Sequence, residues 1–557
     1  MKLRRESVLT PLLLLAVLPL AYGAGAGKSN IPCHGTVISP TDDIVKIINN
    51  GSKNQTFCIE GEHRVTEAIN VRSGQSLIGT TTNSRISGAV VLRPWKPTSN
   101  SAVFVYDGAY AKIHAHRQKQ YSDGGANVCY AVSTYMDDLY YRTNSSNDQR
   151  IMRVLSLDEV DPSHAVTTQG QAVTDGESGR FFFDYANHRI YLSLPVKGGP
   201  NAATVDLSIT FGDPNNDALI SGAGNDNVTL RNLFIEKGIN FGIYGGIGWT
   251  LKDDTIRFNH NVGAYNIFGA PHSPALIERT LFTSNGRKAI NSSFTTNLTI
   301  LNSEMSWNNI ANFRASAGKT GSGHCQGYSD SGAFHMFNDV GTESQPALVI
   351  DKLWSHHNVG DGLWADGGSQ YLKITNSRFS ANERYGYYHE ISCEIQFAGN
   401  EVHNNGRPLK NFDINGGGVN VNDSNNGTFT SNFIYDNQSG DAFLLTLQKK
   451  HQYMKSNKCL GASNGGDTSN ALKHNTVSNN AIYACGGEVS IGKVWGKGGS
   501  LNSRGNEYQG NHYHFSDATS TWFGDGDHTN NYSREDWDAW QSKKHDTNGS
   551  LTIGCKP

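Results

Sequence analysis

The middle of this chain repeats itself about every 24 residues, and that period constrains the fold more than any other feature. In VTLRNLFIE, LIERTLFTSN, LTILNSEMSWNN, LVIDKLWSHHN and LKITNSRFSANE, a short β-type run carries a polar residue, an apolar anchor and then a polar turn rich in Asn. The residue two before each anchor serves as a register mark: Asn232, Asp254, Arg279, Ser303, Lys352, Ser377, Asn400, Asn432 and Asn475. Successive steps are 22, 25, 24, 49, 25, 23, 32 and 43, a base period with insertions. Short alternating strands and Gly/Asn turns, with no room for a helix, describe the coils of a parallel β-solenoid. Leucine-rich repeats compete for this period, but their fixed Leu spacing is absent. Coils stacked ~4.8 Å apart align inward apolar residues into one core and turn asparagines into ladders.

The expected fold is therefore all-β: a right-handed parallel β-helix with an inserted antiparallel β-domain and a short C-terminal capping helix. Residues 24–99 read as an N-terminal cap and first coils, and 216–515 as the main helix carrying the functional face. Between them, 100–215 holds longer alternating runs such as RFFFDYANHRIYLSLP, which predict antiparallel strands. In the last segment, 516–557, SREDWDAWQSKK predicts a helix N-capped by Ser533, with Trp537 and Trp540 on the face that covers the last coil.

Residues 1–23 have the basic start and short apolar run of a secretory signal peptide, so the protein is expected outside the cell or in the periplasm. No later segment reaches the ~18 to 20 apolar residues of a membrane span. Eight cysteines, without metal-ligand spacing, fit disulfides, Cys33 with Cys58 first. Formal charge is 47 minus 50, or −3, and no Lys/Arg run follows the N-terminus, so nothing supports a nucleic-acid surface. We expect a monomer.

Chemistry concentrates in two consecutive coils, GDGLWADGG and RYGYYHEIS. Aligned on Gly362 and Gly386, one 24-residue step apart, they place Trp364 over Tyr388 and Asp366 over Glu390. Strand side chains alternate, so with Leu363 and Ala365 inward, Trp364 and Asp366 face out. Two carboxylates on neighbouring coils lie roughly 5 Å apart, the separation a retaining glycosidase uses. Charges that close push one pKa up, which supplies a neutral acid. Tyr244 and Tyr265 extend the aromatic row, whose rings offer flat surfaces to sugars. Trp307, Lys319, Asp361 and His389 are further substrate-binding candidates, and Glu304, Asn308, His324, His335, His356 and His357 cluster ahead of the acid pair.

The sequence resembles secreted right-handed β-helix proteins related to glycoside hydrolase families 141 and 120. The likeness rests on TFCIEGEHRV, SGQSLIG, RFFFDYANHRIYLSLP, SWNN, AGK, GLWAD and YHEIS. It implies a hydrolase of polysaccharide or oligosaccharide with Asp366 as nucleophile and Glu390 as acid/base. No cofactor or metal is expected, since no ligand set has diagnostic spacing. Two alternatives remain open: a lyase or epimerase of uronate polymers, for which Ca2+ or Arg/Lys would neutralise the carboxylate, and a non-catalytic sugar-binding solenoid.

Overall fold

The computed structural model describes residues 30–554 apart from 115–121, 124–125, 128–136, 144–147, 167–178, 209–217, 223, 312, 314–331, 407–415, 439–440, 447–458, 460–470, 485–489, 492–503, 517–522 and 525–533. Three 13-stranded sheets wrap one right-handed coil. Sheet I runs from Thr36–Ile38 to Glu507–Gln509, sheet II from Glu62–Arg64 to Ser550–Ile553, and sheet III from Ile69–Asn70 to Arg534–Glu535. Every pairing within them is parallel except the last one of sheet III. Each coil contributes one strand to each sheet, and inward residues stack in columns: on sheet I, Leu230, Leu251, Ile277, Ile300 and Ile350 sit over one another and are fully buried. Each such side chain contributes about 1.5–3 kcal/mol by leaving water.

The corners are built by asparagine. From sheet II to sheet III, Asn259, Asn285, Asn308, Asn358, Asn382, Asn405 and Asn437 form a continuous buried ladder, each amide donating to the next side-chain oxygen at 2.9–3.0 Å. The residue before each rung adopts a left-handed backbone: Phe258, Ser284, Trp307, His357, Ala381, Asn404 and Asp436. Four residues after four of these rungs stands a small residue, Gly263, Ala289, Gly362 or Gly386. At Gly362 a Cβ would come within 2.7 Å of the Asn382 amide, so the ladder demands a small side chain beneath it.

The register marks fall in the corner between sheets I and II, with two adjustments. Phe234, Thr255, Leu281 and Glu304 are cross-coil partners, so Asn232 and Arg279 are equivalent to Asp253 and Asn302. Asp254, Ser303, Ser377, Asn400 and Asn432 lie one residue further on. Asn475 opens a sheet I strand instead, and the true rung after Asn432 is Asn480, which accepts from it at 2.9 Å. The pattern identified the turn but not which of two adjacent polar residues makes it.

Residues 89–208 leave the solenoid and form sheets of four and five mainly antiparallel strands around their own core, including Phe181, Phe183, Ile190 and Leu192. They dock on the solenoid through buried charge: Lys237 Nζ donates to Asp148 (2.8 Å) and Asp206 (2.7 Å), and Arg257 Nη2 donates to Asp148 (2.9 Å).

At the far end the helix is Trp537–Ser542, and its N-cap is Asp536, which accepts from Ala539 N at 2.8 Å. Ser533 is not the cap and lies outside the described residues. Trp537 and Trp540 lie against Phe523, and Trp540 also packs on Tyr508. The first coil carries a second short helix, Ile44–Asn50, with no counterpart in the sequence expectations. Disulfides join Cys33 to Cys58 and Cys393 to Cys459; Cys129, Cys325, Cys485 and Cys555 lie outside the described residues.

Candidate active site

The outer face of sheet III carries three columns of side chains. One runs Tyr244, Tyr265, Asn291, His335, Trp364, Tyr388 and Asn420 across successive coils. Trp364 and Tyr388 are thus cross-strand partners, with Leu363 and Ala365 fully buried on the other side. Tyr265 shares the column but lies three coils from Trp364, about 14 Å at ~4.8 Å per coil. It packs with Tyr244 and Phe241 instead, at ring separations of 5.4 and 4.9 Å.

The aromatic row does not present flat faces, contrary to the sequence expectation. His335 stacks on Trp364 with centroids 4.2 Å apart, Trp364 stacks on Tyr388 at 5.6 Å, and Tyr385 packs on Tyr388 at 5.3 Å. The rings cover one another's faces, leaving Trp364 7% and Tyr388 5% exposed, because in-register aromatics on neighbouring coils are close enough to stack along the axis. What remains toward the face is polar edge. Trp364 Nε1 is buried with no hydrogen-bond partner among the described residues.

The second column runs Ser293, Phe337 and Asp366, then Glu390, Asn422 and Thr446. The pairing of Trp364 with Tyr388 and of Ala365 with His389, carried one residue further, sets Asp366 beside Glu390 on adjacent strands. Glu390 is almost buried. Asn422 Nδ2 donates to its Oε1 at 3.2 Å and to Tyr388 Oη at 3.1 Å, while Thr446 Oγ1 donates to Asn422 Oδ1 at 3.1 Å. The ionised carboxylate only accepts, which sets the Nδ2 end of the amide toward it. Asp366 is more open and lies 3.5 Å from His335 Nε2.

The third column contains Lys288, Gly332, Asp361 and Gly417, with Tyr385 between the last two. Asp361 accepts from Arg384 Nη1 at 2.6 Å and from Tyr385 N at 3.1 Å. Burial pushes its carboxyl up to about 7, with the Arg384 guanidinium pulling the other way and Glu390 and Glu383 adding to the rise. Asp361 lies within the wall and is not open to a substrate.

Other candidates fall elsewhere. His389 does not line the face: it points inward, its Nδ1 is 2.8 Å from Tyr387 Oη, and burial lowers it to about 3. Alternation dictates this, since Tyr388 and Glu390 take the outer positions. Trp307 sits at the corner before sheet III, half-exposed and stacked on His357 at 4.5 Å, at the opposite edge of the sheet from Asp366. His356 bonds Glu304 at 3.1 Å on sheet II. Lys319 and His324 lie outside the described residues.

Two exposed aromatics that sequence reasoning missed lie on the coils leading up to Asp366. Phe294 is 65% exposed and Phe337 39%, and Phe337 is the cross-strand partner of Asp366. A Cβ on Gly367, at φ 63°, would come within 2.3 Å of the Phe337 ring, so glycine there makes room for it. The alternation in GAFHMF would have revealed Phe337 once Ala333 was read as the equivalent of Gly362. Among the described residues no cluster of three or more His, Cys, Asp or Glu could hold a metal ion.

The model of the right-handed β-helix region matches residues 238–415 and 361–533, more than half of the chain. The chain belongs to the right-handed β-helix family. A sequence comparison with curated proteins returns no match. Among solved structures, this β-helix is similar to XylC in complex with xylose, with 12% identity, a TM-score of 0.60 and coverage of 85% of this chain and 80% of that one. It is also similar to the A-module of the mannuronan C-5 epimerase AlgE6 of Azotobacter vinelandii, with 11% identity, a TM-score of 0.44 and coverage of 92% and 94%. At 12% identity the likeness to XylC shows the fold alone.

Proposed function

We propose that this β-helix hydrolyses glycosidic bonds with retention, Asp366 attacking the anomeric carbon and Glu390 protonating the leaving oxygen before acting as base. The observation that carries the reading is the placement of Asp366 and Glu390 on adjacent strands of one outward column, flanked by the exposed Phe337 ring. Adjacent strands stand about 4.8 Å apart, which suits direct attack better than the wider gap that admits a water between acid and base. A sugar ring lying on Phe337 places its anomeric carbon along the column toward the two carboxyls, and the buried Asn422 amide holds the Glu390 carboxyl from the other side. The fold shared with a xylose-binding neighbour makes xylose-containing glycans the first substrates to try.

The lyase reading loses support from Arg384. This cation lies 5.4 Å from the Tyr388 ring, but its charge is engaged by Asp361 at 2.6 Å, and a uronate carboxylate would have to displace that partner. The non-catalytic reading loses support because the aromatic row stacks on itself. The test is a panel of 4-nitrophenyl glycosides of xylose, fucose, glucose and galactose, together with xylan, pectin and alginate. New reducing ends and unsaturated uronate products are recorded in parallel. New reducing ends without unsaturated product support hydrolysis, and unsaturated product overturns it.

A further inference from the structure

Asp366 stands at the end of a chain of side chains that the hydrolytic scheme above does not use. On the coil before it, His335 Nε2 lies 3.5 Å from Asp366 Oδ2. On the coil before that, Lys288 Nζ lies 3.0 Å from His335 Nδ1 and donates to Asn291 Oδ1 at 3.3 Å. Lys288 is buried, and the Trp364 ring stacked on His335 at 4.2 Å blocks rotation of the imidazole.

The order of these groups fixes the tautomer. An ammonium carries only donors, so at 3.0 Å it requires a lone pair on Nδ1. A neutral imidazole with its lone pair on Nδ1 carries its proton on Nε2, the nitrogen that faces Asp366. The same contact occupies the Nδ1 lone pair, so the ring donates in one direction, from Nε2. We infer that His335, locked as the Nε2–H tautomer by Lys288, is a positioning residue that donates to Asp366 Oδ2 and leaves Oδ1 to face the substrate. The inference rests on Asp366 being the nucleophile. At 3.5 Å the approach is not a hydrogen bond in the resting protein; the bond forms as substrate orders the carboxylate, in the way that catalytic hydrogen bonds tighten in the Michaelis complex. Lys288 then acts twice removed from the reaction and makes no bond to the sugar.

The test uses the full chain, with the aryl glycoside that turns over fastest in the panel above, beside the side-chain 15N spectrum of His335 in the resting protein, assigned by its loss in His335→Gln. The expected spectrum shows a protonated Nε2 and a bare Nδ1 at neutral pH, and Lys288→Met shifts it toward the other tautomer. His335→Leu should lower kcat about 10- to 100-fold, the scale for a neighbour that orients a reacting group, with KM within about threefold. His335→Gln, whose amide nitrogen reaches the Nε2 position, should recover most of that loss. A protonated Nδ1 in the wild type overturns the inference whatever the activities. So does a His335→Leu kcat within twofold of wild type while Asp366→Asn is inactive, a result that leaves the hydrolytic reading standing. Full activity of Asp366→Asn overturns both.

Discussion

Trp364 and Tyr388 occupy the same position on consecutive coils, their rings 5.6 Å apart and inclined by only 27°. With His335 stacked on the far side of Trp364, the indole is held between two rings, and its function narrows to the Nε1–H edge. A buried donor without a partner is costly, about 1–3 kcal/mol, unless a ligand satisfies it. Trp364→Phe keeps the stack and removes the donor. Its thermal stability should equal or exceed that of wild type, while KM rises by up to about tenfold, the worth of one hydrogen bond. Unchanged KM would show that Nε1 does not meet substrate.

Phe337 should contribute affinity and little stability, being exposed in the free protein. Phe337→Ala removes one aromatic platform worth about 1 kcal/mol, so KM should rise about fivefold with kcat nearly unchanged. Initial rates on the same aryl glycoside and on an oligosaccharide check this. A large fall in melting temperature would instead mark Phe337 as packing.

The face was legible in the sequence wherever the period was unbroken. Gly362 and Gly386 stand one coil apart, and that spacing sufficed to pair Trp364 with Tyr388 and to turn Leu363 and Ala365 inward. It failed where the period breaks. Between Trp307 and Gly332 the period is lost, and the small residue under the Asn308 rung is Ala333 rather than glycine, so His335 and Phe337 could not be placed in their columns. The mutual stacking of the aromatic row was invisible for a different reason: spacing gives the register of side chains, but ring orientation depends on three-dimensional packing. His389 was expected to meet substrate, although the alternation that turns Tyr388 and Glu390 outward sends it inside.

Asp339 gives the protein a pH dependence of known sign. Its carboxylate accepts from Thr295 N at 2.7 Å and Ser292 Oγ at 2.9 Å, yet burial pushes it up to about 7. An acid whose folded pKa exceeds its unfolded value of about 3.9 adds stability that is full below pH ~4 and is lost as pH rises through ~7. Asp339→Asn stays neutral and keeps an acceptor for Thr295. Urea unfolding should show the variant gaining roughly 2–4 kcal/mol over wild type at pH 8 relative to pH 4. An equal difference at both pH values would refute the assignment.

Asn358 tests the ladder. Its side chain accepts from Asn308 N (3.0 Å) and Asn308 Nδ2 (2.9 Å) and donates to Met305 O (3.0 Å) and Asn382 Oδ1 (2.9 Å). Asn358→Ala strands several of these groups away from water, and should cost about 2–4 kcal/mol in denaturant unfolding. A loss under ~0.5 kcal/mol would mean that the ladder is decorative.

The central claim is that Asp366 becomes covalently bonded to the sugar while Glu390 handles the proton. A 2-deoxy-2-fluoro aryl glycoside, of the sugar selected by the panel, slows hydrolysis of the glycosyl-enzyme more than its formation. Wild-type protein incubated with it should lose activity with time and gain the mass of one fluorosugar, and peptide mapping should place that mass on Asp366. Glu390→Ala should accumulate the same adduct, since an activated leaving group needs little protonation, and azide should release it. A label on Glu390 or any other residue, or an inverted anomeric product with no adduct in the wild type, would contradict the mechanism.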